Sequence, residues 1–301
     1  MEVDLLVVGG GPAGSSAALL LARCCRTVLL CDDGNPRNGA ASHIHGLLTH
    51  EGQSPAAFRR AASDALKTYD PLIERRNDRV TAIEGAEKRF AFRTASGLTG
   101  SARRVLLATG LVDQLPPVLG IEAFYGSSVH HCLYCDGYEY RDRRLAAYGE
   151  GDKGADLALV MLQWSRDIIL CTDETTVTEE RRALLQAHGV ALCEKRVRAL
   201  EGSDGKLSKI VFQDGISAER DAMFFVTGCK PGSDLYRSLG CRTDDKGGID
   251  ADENGETSIK GVFVAGDASR DVLQIAVALG EGARAAVAIN KSLLREDGLC
   301  R

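Results

Sequence analysis

The sequence predicts an α/β fold with two βαβ units, on the strength of three observations. A largely apolar run at residues 3–8, VDLLVV, is typical of a buried strand and is followed by a glycine turn and an Ala/Leu-rich stretch typical of a helix. The same succession recurs at residues 145–171, from LAAY through a second glycine turn to IILC. Two further apolar runs, VLLATG and GVFVAGD, each end at a glycine, as buried strands of a parallel sheet commonly do.

The first unit carries the stronger motif. Gly9, Gly11 and Gly14 stand in GxGxxG spacing between a strand and a helix, and Asp32 ends the next apolar run. In such a unit the first glycine permits the tight turn, the second lets the backbone approach a pyrophosphate, and the third lets the helix close on the strand. The acid at the strand end accepts from a ribose hydroxyl. The segment therefore predicts a Rossmann-like dinucleotide site.

The second unit repeats the motif in a weaker form. Gly149, Gly151 and Gly154 keep the spacing, and the following strand ends at Asp173 and Glu174. Acidic residues within this glycine turn place negative charge where a phosphate would lie, which is unfavourable. Two such folds imply two nucleotides, or one nucleotide and a vestigial site. The motif predicts a second nucleotide site at these glycines and Asp173.

Composition excludes several classes of partner. The 301 residues are 44% hydrophobic, and 37 basic against 42 acidic residues give a net charge of −5 without a basic cluster. Nucleic acid and anionic membranes are therefore not expected partners. Apolar runs are too short for a transmembrane helix, and the first strand follows the N-terminus without a secretory leader. With ten cysteines and no leader, we expect a cytoplasmic protein rather than a secreted scaffold held together by disulfides.

The stretch HHCLYCDGYEY contains a CxxC motif, Cys132 and Cys135. Zinc would require two more ligands at suitable spacing, and His130 and His131 lie too close to Cys132 to complete such a site, so no metal is expected. The alternative without a function is a pair of ordinary buried cysteines. A redox dithiol is favoured, because a CxxC at a helix start stabilises the thiolate and lowers the thiol pKa.

Taken in order, GGGPAG, LLATG, CxxC-Asp-Gly, a second GxGxxG and GVFVAGD resemble the low-molecular-weight thioredoxin reductase-like flavoproteins over essentially the whole chain. The resemblance implies a discontinuous FAD-binding domain, residues 1–115 and 247–301, and a second nucleotide-binding-like domain, residues 116–246, that carries the CxxC. It implies that FAD is held by Gly9, Gly11, Pro12, Ala13, Gly14, Asp32, Ala108, Thr109, Gly110, Gly266, Asp267, Gln274 and Ala276.

The resemblance also implies roles around the CxxC. Cys135 would face the flavin, Cys132 would exchange with the substrate disulfide, and Asp136 would transfer the proton. Asp136 stands before Gly137, so a simple turn residue is the alternative for it. Two loop histidines, His43 and His45, lie in a segment that runs close to the flavin in this family. They would either deprotonate a dithiol or bond to the backbone and ribityl oxygens.

One departure from the family pattern concerns the electron donor. Members that use NADPH follow the second-unit strand with His-Arg-Arg, whereas this chain has TDETTVTEERR, with Asp173 and Glu174 where a 2′-phosphate would lie. The pattern resembles the NADPH-independent branch, which contains gliotoxin- and holomycin-type dithiol oxidases and diflavin- or ferredoxin-linked disulfide oxidoreductases. We therefore expect an FAD-dependent dithiol/disulfide oxidoreductase that does not use NADPH.

Several alternatives stay open at this point. The chain could be an ordinary NAD(P)H-dependent thioredoxin reductase, or a non-catalytic flavin redox sensor or electron-transfer module. A second FAD in the second unit is expected by analogy with the diflavin-linked enzymes. The resemblance implies a homodimer and a protein or small-molecule dithiol/disulfide substrate. Oxygen, ferredoxin, a second flavin and NADH remain possible electron partners.

Overall fold

The computed structural model describes residues 1–269 and 272–300. The strands, in chain order, are β1 Glu2–Val8, β2 Val28–Asp32, β3 Ile73–Asn77, β4 Val80–Ala86, β5 Arg89–Thr94, β6 Thr99–Leu107, β7 Leu111–Asp113, β8 Val129–His130, β9 Leu145–Tyr148, β10 Ile168–Cys171, β11 Ala191–Cys193, β12 Val197–Ser203, β13 Lys206–Phe212, β14 Ser217–Glu219, β15 Ala222–Phe225, β16 Cys229–Pro231 and β17 Val262–Val264. The α-helices are α1 Pro12–Arg23, α2 Pro55–Lys67, α3 Leu133–Asp136, α4 Gly151–Met161, α5 Glu179–Ala187, α6 Leu235–Ser238 and α7 Ile275–Glu296.

The chain forms two compact units. The first unit comprises Met1–Gly39, Ala56–Val112 and Lys230–Arg301, and the second comprises Ala40–Pro55 and Asp113–Cys229. These limits differ from the predicted 1–115 with 247–301 and 116–246. Residues 230–246 pack with the first unit, since α6 contributes Leu235 and Tyr236 to its core. Residues 40–55 leave the first unit, an excursion that no local pattern in the sequence indicates.

A seven-stranded sheet organises the first unit, in the order β3-β2-β1-β6-β5-β4 with β17 also paired to β6. The pairs of β1 with β2 and β6, of β2 with β3 and of β6 with β17 are parallel. The last four residues of β1, at positions 5–8, are apolar and buried, as expected of a strand covered on both faces of the sheet. Leu5 and Val7 face the layer of α1 and α7, whereas Leu6 and Val8 face a second core.

A five-stranded parallel sheet, β11-β10-β9-β15-β8, organises the second unit. Side chains alternate along β9, with Leu145 and Ala147 packed in the core around α4 and Ala146 and Tyr148 in the opposite core. A separate antiparallel sheet, β12-β13-β14, covers that opposite face. Both units therefore have the βαβ arrangement expected of a Rossmann-like fold, and the predicted α/β class is confirmed. None of the helices in the described residues is long and apolar enough to cross a membrane.

Candidate active site

The glycine turn of the first unit brings backbone directly against backbone. Gly9 has a φ of +106°, and a Cβ on it would lie 2.2 Å from the carbonyl oxygen of Ala108. A Cβ on Gly14 would lie 1.9 Å from the carbonyl oxygen of Gly9. Such short contacts leave no room for a side chain, so the turn requires glycine at both positions. The predicted turn residues share this tight passage from β1 to α1: Gly9, Gly11, Pro12, Ala13 and Gly14.

The start of α1 opens onto free space. A Cβ on Gly11, the N-cap residue, would meet no atom within 4 Å. Within the described part of the chain, no side chain caps this N-terminus, and its first turn contains no acidic residue. The N–H groups of a helix N-terminus attract anions, both as donors and through the helix dipole. The geometry fits a pyrophosphate.

Asp32 lies at the end of β2, beside the glycine turn. Its Oδ1 accepts a hydrogen bond from the backbone N–H of Gly10 at 3.0 Å. This bond fixes the carboxylate close to the turn, and the second oxygen can accept from a ribose hydroxyl. The sequence motif therefore places the acid and the glycines at one end of the sheet, as a dinucleotide requires.

The segment after β6 forms a second wall of backbone. The carbonyl oxygen of Ala108 touches Gly9, and Gly110 has a φ of +61° with no atom within 4 Å of a Cβ position. Gly232 donates its N–H to the Gly110 carbonyl at 3.0 Å, and a Cβ on Gly232 would lie 2.1 Å from the carbonyl oxygen of Thr109. Residues 108–110 are thus held between two glycine contacts. Gly232 is a residue that the sequence reasoning missed.

A buried carboxylate accepts two hydrogen bonds from the loop after β17. Glu281 of α7 is only 9% exposed, and its Oε2 accepts from the Gly266 N–H at 2.6 Å and from the Ser269 hydroxyl at 3.3 Å. Asp267 pairs with Arg37 at 2.7 Å. The predicted pair Gly266 and Asp267 therefore lies in a fixed turn. Glu281 and Arg37 carry no local sequence signal for this role, because both act across long separations in the chain.

The last two predicted FAD contacts lie at the start of α7. Gln274 is the N-cap residue of this helix, and Ala276 is exposed in its first turn. Small exposed residues at a helix N-terminus leave the backbone N–H groups accessible to a ligand. All the predicted FAD-binding residues are in the first unit. We call the turn at residues 9–14, with the facing backbone at residues 108–110, the glycine cradle, and its open helix N-terminus fits the pyrophosphate of FAD. Bound there, a flavin would supply two-electron redox chemistry.

In the second unit, Cys132 and Cys135 form a disulfide, with their Cα atoms 5.3 Å apart. Cys132 is the N-cap residue of α3, which ends at Asp136. Both cysteines are half-buried. In the described residues there is no group of three or more His, Cys, Asp or Glu side chains arranged to bind a metal. The pair is thus arranged for dithiol/disulfide chemistry.

Each of the two histidines before the CxxC faces a carboxylate. The Nδ1 of His130 lies 3.3 Å from the Oδ2 of Asp136, and the Nδ1 of His131 lies 3.6 Å from the Oδ2 of Asp113. Tyr125 donates its hydroxyl proton to Asp113 at 3.1 Å and lies 3.3 Å from the His131 Nδ1. Sequence reasoning considered these histidines only as zinc ligands and rejected that role. Their adjacency to Cys132 was the signal, but Asp113 lies too far along the chain to be paired with them from the sequence.

A third histidine, His45, lies in a loop of the second unit. Its Nδ1 is 2.6 Å from Glu51, which also accepts the Gly46 N–H, and its Nε2 is 3.7 Å from Glu139. Burial alone would lower the pKa of His45, but the hydrogen bond to Glu51 and the charges of Glu139 and Asp136 together raise it. His45 therefore keeps its proton to a higher pH than an ordinary histidine, and it lies between two carboxylates, Glu51 and Glu139. The ring of His43 lies 6.0 Å from the ring of His45, measured between centroids.

The second glycine turn is tight, and one of its backbone N–H groups already donates a hydrogen bond within the second unit. A Cβ on Gly154 would lie 2.1 Å from the carbonyl oxygen of Gly149, which repeats the turn of the first unit. However, the N–H of Gly151 donates to the hydroxyl of Thr175 at 2.8 Å, and the carbonyl oxygen of Thr176 lies 3.4 Å from the Cβ position of Gly151. The loop after β10 thus folds back onto the turn.

Asp173 is also engaged within the unit. Its Oδ2 accepts from the Tyr148 hydroxyl and its Oδ1 from the Val197 N–H, both at 2.8 Å. Burial, followed by this contact with Asp173, raises the pKa of Tyr148 well above its ordinary value, so Tyr148 stays a donor. Asp173 therefore has a structural role, whereas the exposed acid at the strand end is Glu174.

Comparisons with known proteins show which family the chain resembles. Residues 3–282 match the family model described as pyridine nucleotide-disulphide oxidoreductase. The chain is 30% identical to thioredoxin reductase sirT of Leptosphaeria maculans, over 99% of this chain and 96% of that protein. It is also 30% identical to thioredoxin reductase tcpT of Claviceps purpurea, over 88% and 86%. The crystal structure of HlmI is similar with a TM-score of 0.94 and 33% identity, over 99% and 94%.

These likenesses span nearly the whole chain and include both the glycine cradle and the CxxC segment. The protein is therefore an enzyme, a thioredoxin reductase-like disulfide oxidoreductase with a flavin cofactor, and its substrates are dithiols or disulfides. The chain belongs to the pyridine nucleotide-disulphide oxidoreductase family.

Proposed function

We propose that the enzyme oxidises dithiols through the Cys132–Cys135 disulfide and FAD, and that it does not use NADPH. The observation that carries this proposal is the loop after β10. Where a 2′-phosphate would need cations, the chain has Asp173 and Glu174, and the loop bonds to the Gly151 N–H through Thr175. The two carboxylates would repel the 2′-phosphate of NADPH, and the Gly151 N–H already donates to Thr175 and so is not available to a phosphate.

The residues of the CxxC segment would divide the work. A substrate thiolate attacks the sulfur of Cys132, which forms a mixed disulfide and releases the thiolate of Cys135. The second substrate thiol then closes the substrate disulfide and releases Cys132. Asp136, in the same helical turn, would move the proton at Cys135. The ion-pair contact of Asp136 favours this role over that of a simple turn residue, because its carboxylate faces His130.

A second candidate is favoured by the intact turn at Gly149 and Gly154. The turn keeps the backbone geometry of a dinucleotide site, and Glu174 is exposed at the strand end, where an acid can accept from an unphosphorylated ribose. A second FAD or NADH would suit such a site only after the Thr175 contact opens. The second FAD therefore stays a prediction, as do the homodimer and the cytoplasmic location.

Stopped-flow mixing under anaerobic conditions tests the proposal. We expect a dithiol such as dithiothreitol to bleach the flavin rapidly, and NADPH at saturating concentration to leave it oxidised. Fast, saturable bleaching by NADPH would show an ordinary reductase and defeat the proposal. Counting the flavin released per chain separates one FAD from two. A protein that binds flavin but exchanges no electrons with dithiols would instead be a sensor or electron-transfer module.

A further inference from the structure

His130 is locked in one orientation beside the CxxC. It ends β8, is only 5% exposed, and its ring stacks on Phe224 with centroids 5.5 Å apart and an angle of 30°. The ring of Tyr140 packs against it at 5.4 Å. Two aromatic contacts on a buried ring prevent it from rotating freely, so each ring nitrogen faces a fixed partner.

The partner of Nε2 determines where the ring carries its proton. His130 Nε2 lies 3.2 Å from the carbonyl oxygen of Ser127. A carbonyl oxygen can only accept, so Nε2 must carry hydrogen. The hydroxyl of Tyr140 donates to the same oxygen. In the neutral ring, therefore, Nδ1 has a lone pair and no proton.

The partner of Nδ1 is the Oδ2 of Asp136, 3.3 Å away. A lone pair and an ionised carboxylate oxygen would repel each other at this distance. The contact becomes favourable when one further proton is present, either on Nδ1 as an ion pair or on the carboxyl group as a neutral pair. The geometry therefore allows His130 and Asp136 to share one exchangeable proton.

We propose that His130 is a positioning residue that keeps this proton on the His130–Asp136 pair for exchange with Cys135. The inference rests on the proposed function for the direction of electron transfer, from the substrate dithiol to the Cys132–Cys135 disulfide. When a substrate thiolate attacks Cys132, the bond between the two sulfurs breaks and the electron pair goes to Cys135. The pair gives its proton to that thiolate, and it recovers a proton from the second substrate thiol.

Other titratable groups face the pair and set its surroundings. His45 and Asp136 interact electrostatically, and Glu139 bridges toward His45. Burial, with the charges of Asp136 and Glu139, raises the pKa of Tyr140, so this phenol remains a neutral donor. Phe224 is apolar and fully buried on the remaining face. The phenol of Tyr140, which keeps its proton, packs against the His130 ring, and the ring of His45 lies near the Asp136 carboxylate.

His130→Gln tests the proposal, because the glutamine amide can still donate to the Ser127 carbonyl but supplies no basic atom toward Asp136. The readout is the rate at which dithiothreitol reduces the Cys132–Cys135 disulfide, followed by acid quench and thiol alkylation between pH 5 and pH 9. This readout needs no flavin turnover, so it remains valid if the proposed function fails. His188→Gln, at an exposed histidine after α5, is the matched control.

We expect His130→Gln to slow disulfide reduction by about 100-fold, at the low end of general acid catalysis, and to remove one titration step from the pH–rate profile. Asp136→Asn should cause the same loss, and the double variant should lose no more than either single one, because the two residues act as a unit. His188→Gln should match the wild type. A wild-type pH profile for a folded His130→Gln, or losses that multiply in the double variant, would overturn the proposal.

Discussion

At the scale of single residues, the site depends on pairs that are distant in sequence. His131 with Asp113, Glu281 with Gly266 and Asp267 with Arg37 each join different segments of one unit. The cysteines are the exception, since three positions of sequence separation already allow the disulfide. The redox chemistry and the candidate proton carrier Asp136 could therefore be predicted from the CxxC segment and the family resemblance, whereas the long-range partners of these groups could not.

The thiol of Cys135 should be essential for electron exchange. Cys135→Ser leaves Cys132 without a disulfide partner, so we expect the rate of anaerobic flavin bleaching by dithiothreitol to fall on the order of 1,000-fold or more. Cys24→Ser, at an exposed free cysteine, is the control and should bleach at the wild-type rate. A Cys135→Ser protein that bleaches as fast as the control would refute the redox assignment.

The His45–Glu51 contact should give a stability contribution that depends on pH. The pKa of His45 is raised from 6.5, so its contribution is complete below about 6.5 and is lost as pH rises through the folded value. Hydrogen bonds from His45 and Gly46 lower the pKa of Glu51 from 4.5, so its contribution is present above about 4.5 and is lost as pH falls.

Glu51→Gln should therefore be less stable than the wild type near pH 5.5, and the difference should shrink by pH 9. Thermal melts at both pH values measure it, and the NMR titration of His45 should move to lower pH in the variant. Glu84→Gln, at an exposed acid on β4, controls for the loss of one surface charge. An equal difference at both pH values would contradict the assigned pair.

At the scale of elements, the glycine turns could be predicted almost completely from sequence. Strand, GxGxxG and helix are local patterns, and the structure has β1 with α1 and β9 with α4 at those positions. The contact between the loop after β10 and the second glycine turn could not be predicted, because the Thr175 hydroxyl accepts a hydrogen bond from Gly151, which lies 24 residues earlier in the chain. Nor could the role of Asp173, whose partners Tyr148 and Val197 lie on other strands.

The first turn provides a test at this scale. Gly14→Ala would place its Cβ 1.9 Å from a carbonyl oxygen, so α1 must shift from the turn. We expect the free energy of unfolding to fall by about 2 kcal/mol or more and flavin to be released on dilution. Gly280→Ala, on an exposed face of α7 with no atom within 4 Å of the Cβ position, should instead raise it by up to about 1 kcal/mol. Equal flavin retention in both variants would argue against the cradle.

At the scale of the whole molecule, the two units have separate cores, so a ligand of one should stabilise mainly that one. Adding FAD to flavin-depleted protein should slow hydrogen exchange in the turns at residues 9–14, 108–110 and 266–269. If a single FAD binds, the turn at residues 149–154 should exchange at its former rate. Protection of that turn as well, with two flavins per chain, would establish the second FAD and show that the loop after β10 moves aside.

The division of the chain between the units was the least predictable feature. Apolar runs indicated where strands lie, and the segment ending at Gly266 was correctly associated with the first glycine turn. The boundary near residue 230 was not found, since α6 is a single turn that shows its affiliation only through Leu235 and Tyr236. The excursion of residues 40–55 is irregular throughout, so no periodicity in the sequence indicates which unit it joins.

This division has a consequence for biosynthesis. Every segment of the second unit precedes residue 230, so that unit can fold as soon as Cys229 has left the ribosome. The first unit is still incomplete then, because β17, which pairs with β6, and α7, which packs on α1, have not yet been synthesised. The contact between α7 and α1 includes the close approach of Gly282 to Ala13. Until α7 emerges, one apolar face of β1 and α1 has no cover. The nascent chain would therefore carry a finished dithiol centre before it could retain a flavin.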